Sequence, residues 1–139
     1  MGTSAQTSAG FDREPDKAES QRMAQETLNL DDAVVSVGVV NHLGFLMACA
    51  VREQYARRIS FSNEEWEESA QRAATIMAAV KGEDKVHSQI ESIVLVRKEF
   101  KSLIMWIPHY ATILKVILVR SADAAQVTDK IRANFGLDS

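Results

Sequence analysis

Three histidines, one cysteine and a tight run of glutamates are the side chains here with the reactivity for metal, nucleophilic or acid–base chemistry. A metal site needs two or three nitrogen or sulfur ligands converging with a carboxylate. His42, His87 and His109 are instead scattered, each in a stretch that reads as turn or linker. A cysteine nucleophile wants a polarised, partly exposed setting. Cys49 lies within the apolar run Phe45–Arg52, where a thiol serves as a small core residue. Glu64, Glu65, Glu67 and Glu68 offer paired carboxylates, but they open a helical pattern whose N-terminal dipole favours negative charge. The sequence has no GxxxxGK[ST] loop, GxGxxG turn, GxSxG elbow or HExxH helix, and its six glycines are too sparse to cradle phosphate. The expectation is a non-enzymatic protein with no catalytic residue, no metal and no cofactor.

The elements that carry these residues follow from periodicity. Residues 1–14 are rich in Ser, Thr, Gly and Ala, and read as a disordered tail dispensable for folding, ahead of a single domain over 15–139. Pro15 suits a helix start, and Asp16–Leu28 reads as a helix with a thin apolar stripe of Ala18, Met23, Ala24 and Leu28. Val34–Val40 and Phe45–Arg52 read as a strand hairpin closed by Asn41-His42-Leu43-Gly44, and Glu53–Phe61 as an exposed loop. Ser62 and Glu65 form a capping box that starts a helix running to about Lys81, with Gly82 as its stop. Glu83–Gln89 reads as linker. Glu91–Lys98, Ser102–Ile107 and Thr112–Arg120 read as strands, with turns at Glu99-Phe100-Lys101 and His109-Tyr110. Ser121 is the expected cap of a last helix, Ala122–Phe135, with inner residues Ala124, Val127, Ile131 and Phe135. The order α-β-β-α-β-β-β-α predicts an α+β domain with a five-stranded antiparallel sheet covered by helices.

Composition narrows the function. At 139 residues, 46% apolar and 25% charged, the chain has material for one core. Its formal charge of −3 argues against nucleic acid, which draws affinity from Lys and Arg on phosphates. No apolar run reaches the ~18–20 residues that span a bilayer, so no membrane insertion is expected. A single cysteine suits a cytoplasmic location.

What remains is surface. On the capped helix, Ala70, Ala73, Ala74 and Ala78 permit close approach, with Trp66 and Met77 supplying bulk. Packing on its own sheet explains such a face. Ile76 and Ala79 widen it, so that one flank can meet the sheet and another a second subunit. The strand around Ile93 and Leu95 is expected at a sheet edge, where unpaired backbone groups invite pairing. Arg52, Arg57, Arg58, Arg97, Lys98 and Lys101 fall at strand ends and make one basic patch if the second and third strands end on the same side. The expected interface is Trp66, Ala70, Ala73, Met77, Ile93, Leu95, Arg57 and Arg58, and a homodimer is expected from it.

The hairpin Val34-Val35-Ser36-Val37-Gly38-Val39-Val40-Asn41-His42-Leu43-Gly44-Phe45-Leu46-Met47-Ala48, the capped helix from Ser62, the strand Ile93–Val96 and the closing Ile113–Phe135 together resemble the roadblock superfamily, within the longin- and profilin-like group. The plan is also similar to that of short archaeal proteins. The resemblance covers about residues 16–136. It implies a non-enzymatic dimer, built by central-helix and edge-strand pairing, that scaffolds or regulates a small Ras-like GTPase. The alternative is a PAS- or GAF-like sensor, which also sets helices around an antiparallel sheet and holds a small molecule between helix and sheet.

Overall fold

The computed structural model describes residues 14–58, 62–87 and 89–137. The tail expected over 1–14 therefore lies outside the described residues, apart from Glu14, whose Oε1 sits 2.7 Å from His42 Nδ1. The elements are α1 (Lys17–Leu28), β1 (Val34–Asn41), β2 (Leu46–Val51), a 3-10 turn (Glu53–Tyr55), α2 (Asn63–Lys81), α3 (Asp84–His87), β3 (Ser92–Val96), β4 (Phe100–Ile107), a 3-10 turn (Pro108–Tyr110), β5 (Thr112–Val119) and α4 (Ala124–Asn134). The sheet has five strands in the order β2-β1-β5-β4-β3, and every neighbouring pair is antiparallel. The fold class is the expected α+β, with an added single turn of helix, α3, inside the linker.

Strand alternation divides the core in two. One set of side chains, including Val37, Val39, Leu103, Met105, Leu114, Val116 and Leu118, packs with Met23, Ala24 and Leu28 of α1 and with Val127 and Ile131 of α4. The opposite set, Val40, Ile104 and Ile113, packs with Ala70, Ala73 and Met77 of α2. Thus α1 and α4 cover one face and α2 the other, which is why β1 and β5 are apolar nearly throughout.

The β1–β2 turn shows how local chemistry sets register. Asn41 Oδ1 accepts from the N–H groups of Leu43 (3.0 Å) and Phe45 (2.9 Å). Gly44 takes φ +93, which a side chain disfavours, and a Cβ there would lie 3.4 Å from Ala74 Cβ. Gly38 leaves room for the Trp66 ring, whose Cζ3 would stand 3.9 Å from an added Cβ.

Three local expectations are corrected. The stripe of α1 is Ser20, Met23, Ala24, Thr27 and Leu28, while Ala18 is exposed. Small hydroxyl residues complete it, Thr27 burying its Oγ1 against the Met23 carbonyl at 2.8 Å. α4 is capped by Asp123 rather than Ser121, because Ala122 is buried and its carbonyl is held by Lys101 Nζ at 2.6 Å. The β3–β4 turn is Lys98-Glu99, since Arg97 N–H already donates to Phe100 O at 2.9 Å and Phe100 pairs with Val119.

Arg52 is a structural staple. Its Nε donates to Val34 O (2.8 Å), and its Nη2 to Leu28 O (2.6 Å) and Asp31 O (3.1 Å), joining the end of β2 to the α1–β1 connection. Nearby, Asp31 accepts from Lys130 Nζ and from the Ala33 N–H at 2.8 Å each, and these bonds hold its carboxyl below the usual 3.8. Arg52→Ala removes all three of these bonds, although the Asp31 carbonyl keeps the Val34 N–H at 3.1 Å, and urea denaturation is expected to show a loss of about 2–3 kcal/mol with an unchanged slope.

Candidate interaction surface

Among the described residues, the outer edge of β3 is open. Arg97 N–H bonds to Phe100 O, and Trp106 N–H to Glu91 O. In an antiparallel ladder the bonding residues alternate, so Glu91, Ile93, Leu95 and Arg97 turn their backbone groups toward β4. Ser92, Val94 and Val96 therefore turn theirs outward, where they meet no partner among the described residues. Val94 is 42% and Val96 59% exposed. The other edge is treated differently. α1 lies across β2, and Gln21 Nε2 takes the outward carbonyl of Cys49 at 3.1 Å.

Flanking β3 on the α2 side are two depressions of opposite character. At the end of β3, Arg97, Lys115 of β5 and Arg72 of α2 line one, together with Ser69, Glu65 and Glu68. Lys115 is half-buried and donates to Ser69 Oγ. Burial, with Arg97 and Arg72 beside it, holds its ammonium below the ordinary 10.5. Arg72 has an exposed partner in Glu68 at 3.6 Å, while Lys115 and Arg97 have no carboxylate partner among the described residues. At the start of β3, Glu83, Asp84 and Glu91 line the other depression with Val80, Gln89, Ile90 and Ser92.

The residues expected at an interface fall into three places. Ala70, Ala73 and Met77 are buried, at 2%, 1% and 1% exposure, so they face the sheet of their own chain rather than a second subunit. Trp66 is half-buried over Gly38. Ile93 and Leu95 line the edge strand, half-buried under the α2 side. Arg57 is exposed, whereas Arg58 is engaged: its Nη2 lies 3.2 Å from Glu99 Oε1 and its guanidinium 5.3 Å from the Phe100 ring. The single basic patch does not form. β2 and β3 run in the same direction at opposite edges; Arg52 and Lys101 are tied to carbonyls, and Arg58, carried across to the β3–β4 turn, is paired there with Glu99. What the sequence missed is Lys115, visible there as the lone charge within the last strand.

The groups with reactive potential take structural roles. Cys49 is half-buried, and burial pushes its thiol up from 9.0. Glu65 closes the capping box, accepting from the Ser62 N–H at 2.9 Å. Among the described residues, no three His, Cys, Asp or Glu side chains gather into a group able to hold a metal ion, and no helix is long and apolar enough to cross a membrane.

By sequence, neither a protein-family model nor a curated protein matches the chain. By structure it is similar to a Roadblock/LC7 domain from Streptomyces avermitilis, with a TM-score of 0.66 at 11% identity over 84% of this chain and 91% of that one. It is also similar to the gliding protein MglB from Thermus thermophilus, with a TM-score of 0.65 at 13% identity over 94% of both chains. For Myxococcus xanthus MglB the TM-score is 0.65 at 17% identity, over 84% of this chain and 89% of that one.

Two variants separate core from cleft. Ala73→Glu places a carboxylate between α2 and the sheet, so calorimetry is expected to show a fold destabilised by about 3 kcal/mol or more. Lys115→Met removes a desolvated charge and is expected to melt at or above the wild-type temperature at neutral pH. In the wild type the unfolded chain holds the Lys115 proton more tightly than the folded one. Stability should therefore rise with pH as the solution climbs from the lowered folded value toward 10.5, and this increment should vanish in the variant.

Proposed function

We propose that this chain, whose fold is that of the roadblock domain, is a non-enzymatic homodimeric interaction module that scaffolds or regulates a small Ras-like GTPase in the cytoplasm. The observation that carries the reading is the unpaired edge of β3, beside an α2 that has already spent its small-residue face on its own sheet. An open edge of this kind is normally paired, covered or charged. The flank of α2 that bears Arg72 and Val80, with Ile76 between them half-buried against the sheet, runs along the same side as that edge. Pairing two copies through β3 sets the two α2 helices next to each other and makes one continuous platform. The nucleotide-binding partner follows from the roadblock resemblance. Arg57 and Trp66, the exposed cation and the half-exposed aromatic ring near the start of α2, are the anchors of the proposed contact.

The sensor alternative asks for a chamber between helix and sheet. Here Ala70, Ala73 and Met77 fill that space against Val40, Ile104 and Ile113.

Affinity capture of the tagged chain from its own cell extract, with a non-hydrolysable GTP analogue or with GDP, is expected to enrich one small GTPase in a nucleotide-dependent way. Arg57→Glu together with Arg58→Glu should cut that capture at least tenfold while the far-ultraviolet circular dichroism spectrum stays unchanged. Turnover of a nucleotide, ester or phosphate by the isolated chain, abolished by replacing Cys49 or a histidine, would overturn the reading.

A further inference from the structure

The edge strand reads Glu91-Ser92-Ile93-Val94-Leu95-Val96-Arg97, with opposite charges at equal distances from Val94. Two copies paired antiparallel about a two-fold axis at Val94 set Glu91 of each against Arg97 of the other. Ile93 then faces Leu95, and Ser92 faces Val96. The hydrogen-bonding phase agrees, because Ser92, Val94 and Val96 are the residues whose backbone groups point outward, so all three exchange bonds in this register. Neighbouring registers are worse. An axis at Leu95 sets Ile93 against Arg97 and Glu91 against Glu99. An axis at Ile93 sets Leu95 against Glu91.

The same axis carries the acidic depression at the start of one β3 to the basic depression at the end of the other. Arg97 and Lys115 have no carboxylate partner among the described residues, and Arg72 adds a third cation beside them. Glu65 and Glu68 on the rim leave this cleft a net charge that one carboxylate balances and a polyanion such as a nucleoside triphosphate exceeds. Glu91 has the exposure to reach it: its side chain is 62% exposed, and its ion pair among the described residues is with Arg132 Nη1 at 3.3 Å.

We propose that the cleft of Arg72, Arg97 and Lys115 receives Glu91 of a second copy, and that this fixes the β3 edge in a two-fold pairing centred on Val94. The proposal rests on the dimeric reading above and adds to it the register, the receptor site and the chemistry of its ligand. By symmetry each dimer holds the contact twice. Association is then salt-dependent, since the charges meet at a solvent-exposed rim.

The test uses the full chain with Cys49→Ala, so that any disulfide comes from an introduced thiol. Facing residues of a hydrogen-bonded antiparallel pair have Cα atoms about 5.5 Å apart, within disulfide reach. Val94→Cys is expected to oxidise almost wholly to a covalent dimer, and Val96→Cys, displaced from its own copy along the strand, to cross-link poorly. In the wild-type background, Glu91→Arg and Arg97→Glu should each weaken dimerisation by about tenfold or more in analytical ultracentrifugation, and the two combined should restore it. A dimer in which Val94→Cys fails to cross-link, or in which the combined variant stays as weak as the single ones, overturns the register and the receptor site while leaving the dimeric module intact. A wild-type chain that sediments as a monomer at tens of micromolar overturns both.

Discussion

β5 holds this fold together. It is the middle strand, bonded to β1 on one side and β4 on the other, and it joins the opening hairpin to the closing one across most of the chain. A middle strand loses water from both faces, so both must be apolar and both must be covered by helices. That requirement places α2 on one face and α1 with α4 on the other, and it explains why the small residues of α2 are consumed within the chain. The exception inside β5 is Lys115. Its ammonium is led out past Ser69 to the rim of the sheet, where Arg72 and Arg97 already stand. The demand for an apolar middle strand and the formation of a basic cleft at its margin are therefore linked.

Much of this was legible in the residues. The capping box of Ser62 and Glu65, the Asn41-to-Gly44 turn and the β-branched runs fix local geometry through short-range chemistry, and the structure places them as the sequence implied. Shifts at Ser121 and at Glu99 arose where two local options were close. A neighbouring aspartate outcompeted a serine as cap, and the pairing of Phe100 with Val119 pulled the turn back by a residue. Such outcomes depend on partners far away in the chain.

The interaction surface was harder to read for the same reason. Periodicity marks a helix face as apolar without saying whether its own sheet or another molecule lies against it, and Ala70, Ala73 and Met77 turned out to serve the former. Basic residues clustered in sequence took separate partners in the fold, Arg52 and Lys101 on carbonyls and Arg58 on Glu99 at the β3–β4 turn. Conversely, Arg72, Arg97 and Lys115 come from three elements and meet only in the folded state, so no local pattern announces them. The Glu91 and Arg97 arrangement was present in the sequence, but it gains meaning only once β3 is known to be terminal and its outward backbone groups are identified.

The unequal treatment of the two margins has a consequence for how large an assembly can become. A sheet with two open sides can add copies indefinitely and lengthen into a fibre. Here Gln21 of α1 already takes the outward carbonyl of Cys49 at the β2 margin, so the two edges are not equivalent. The self-pairing proposed above would use up the β3 edge of both participants at once. A two-fold pairing of that kind closes on itself, so growth would stop at a pair instead of lengthening into a filament.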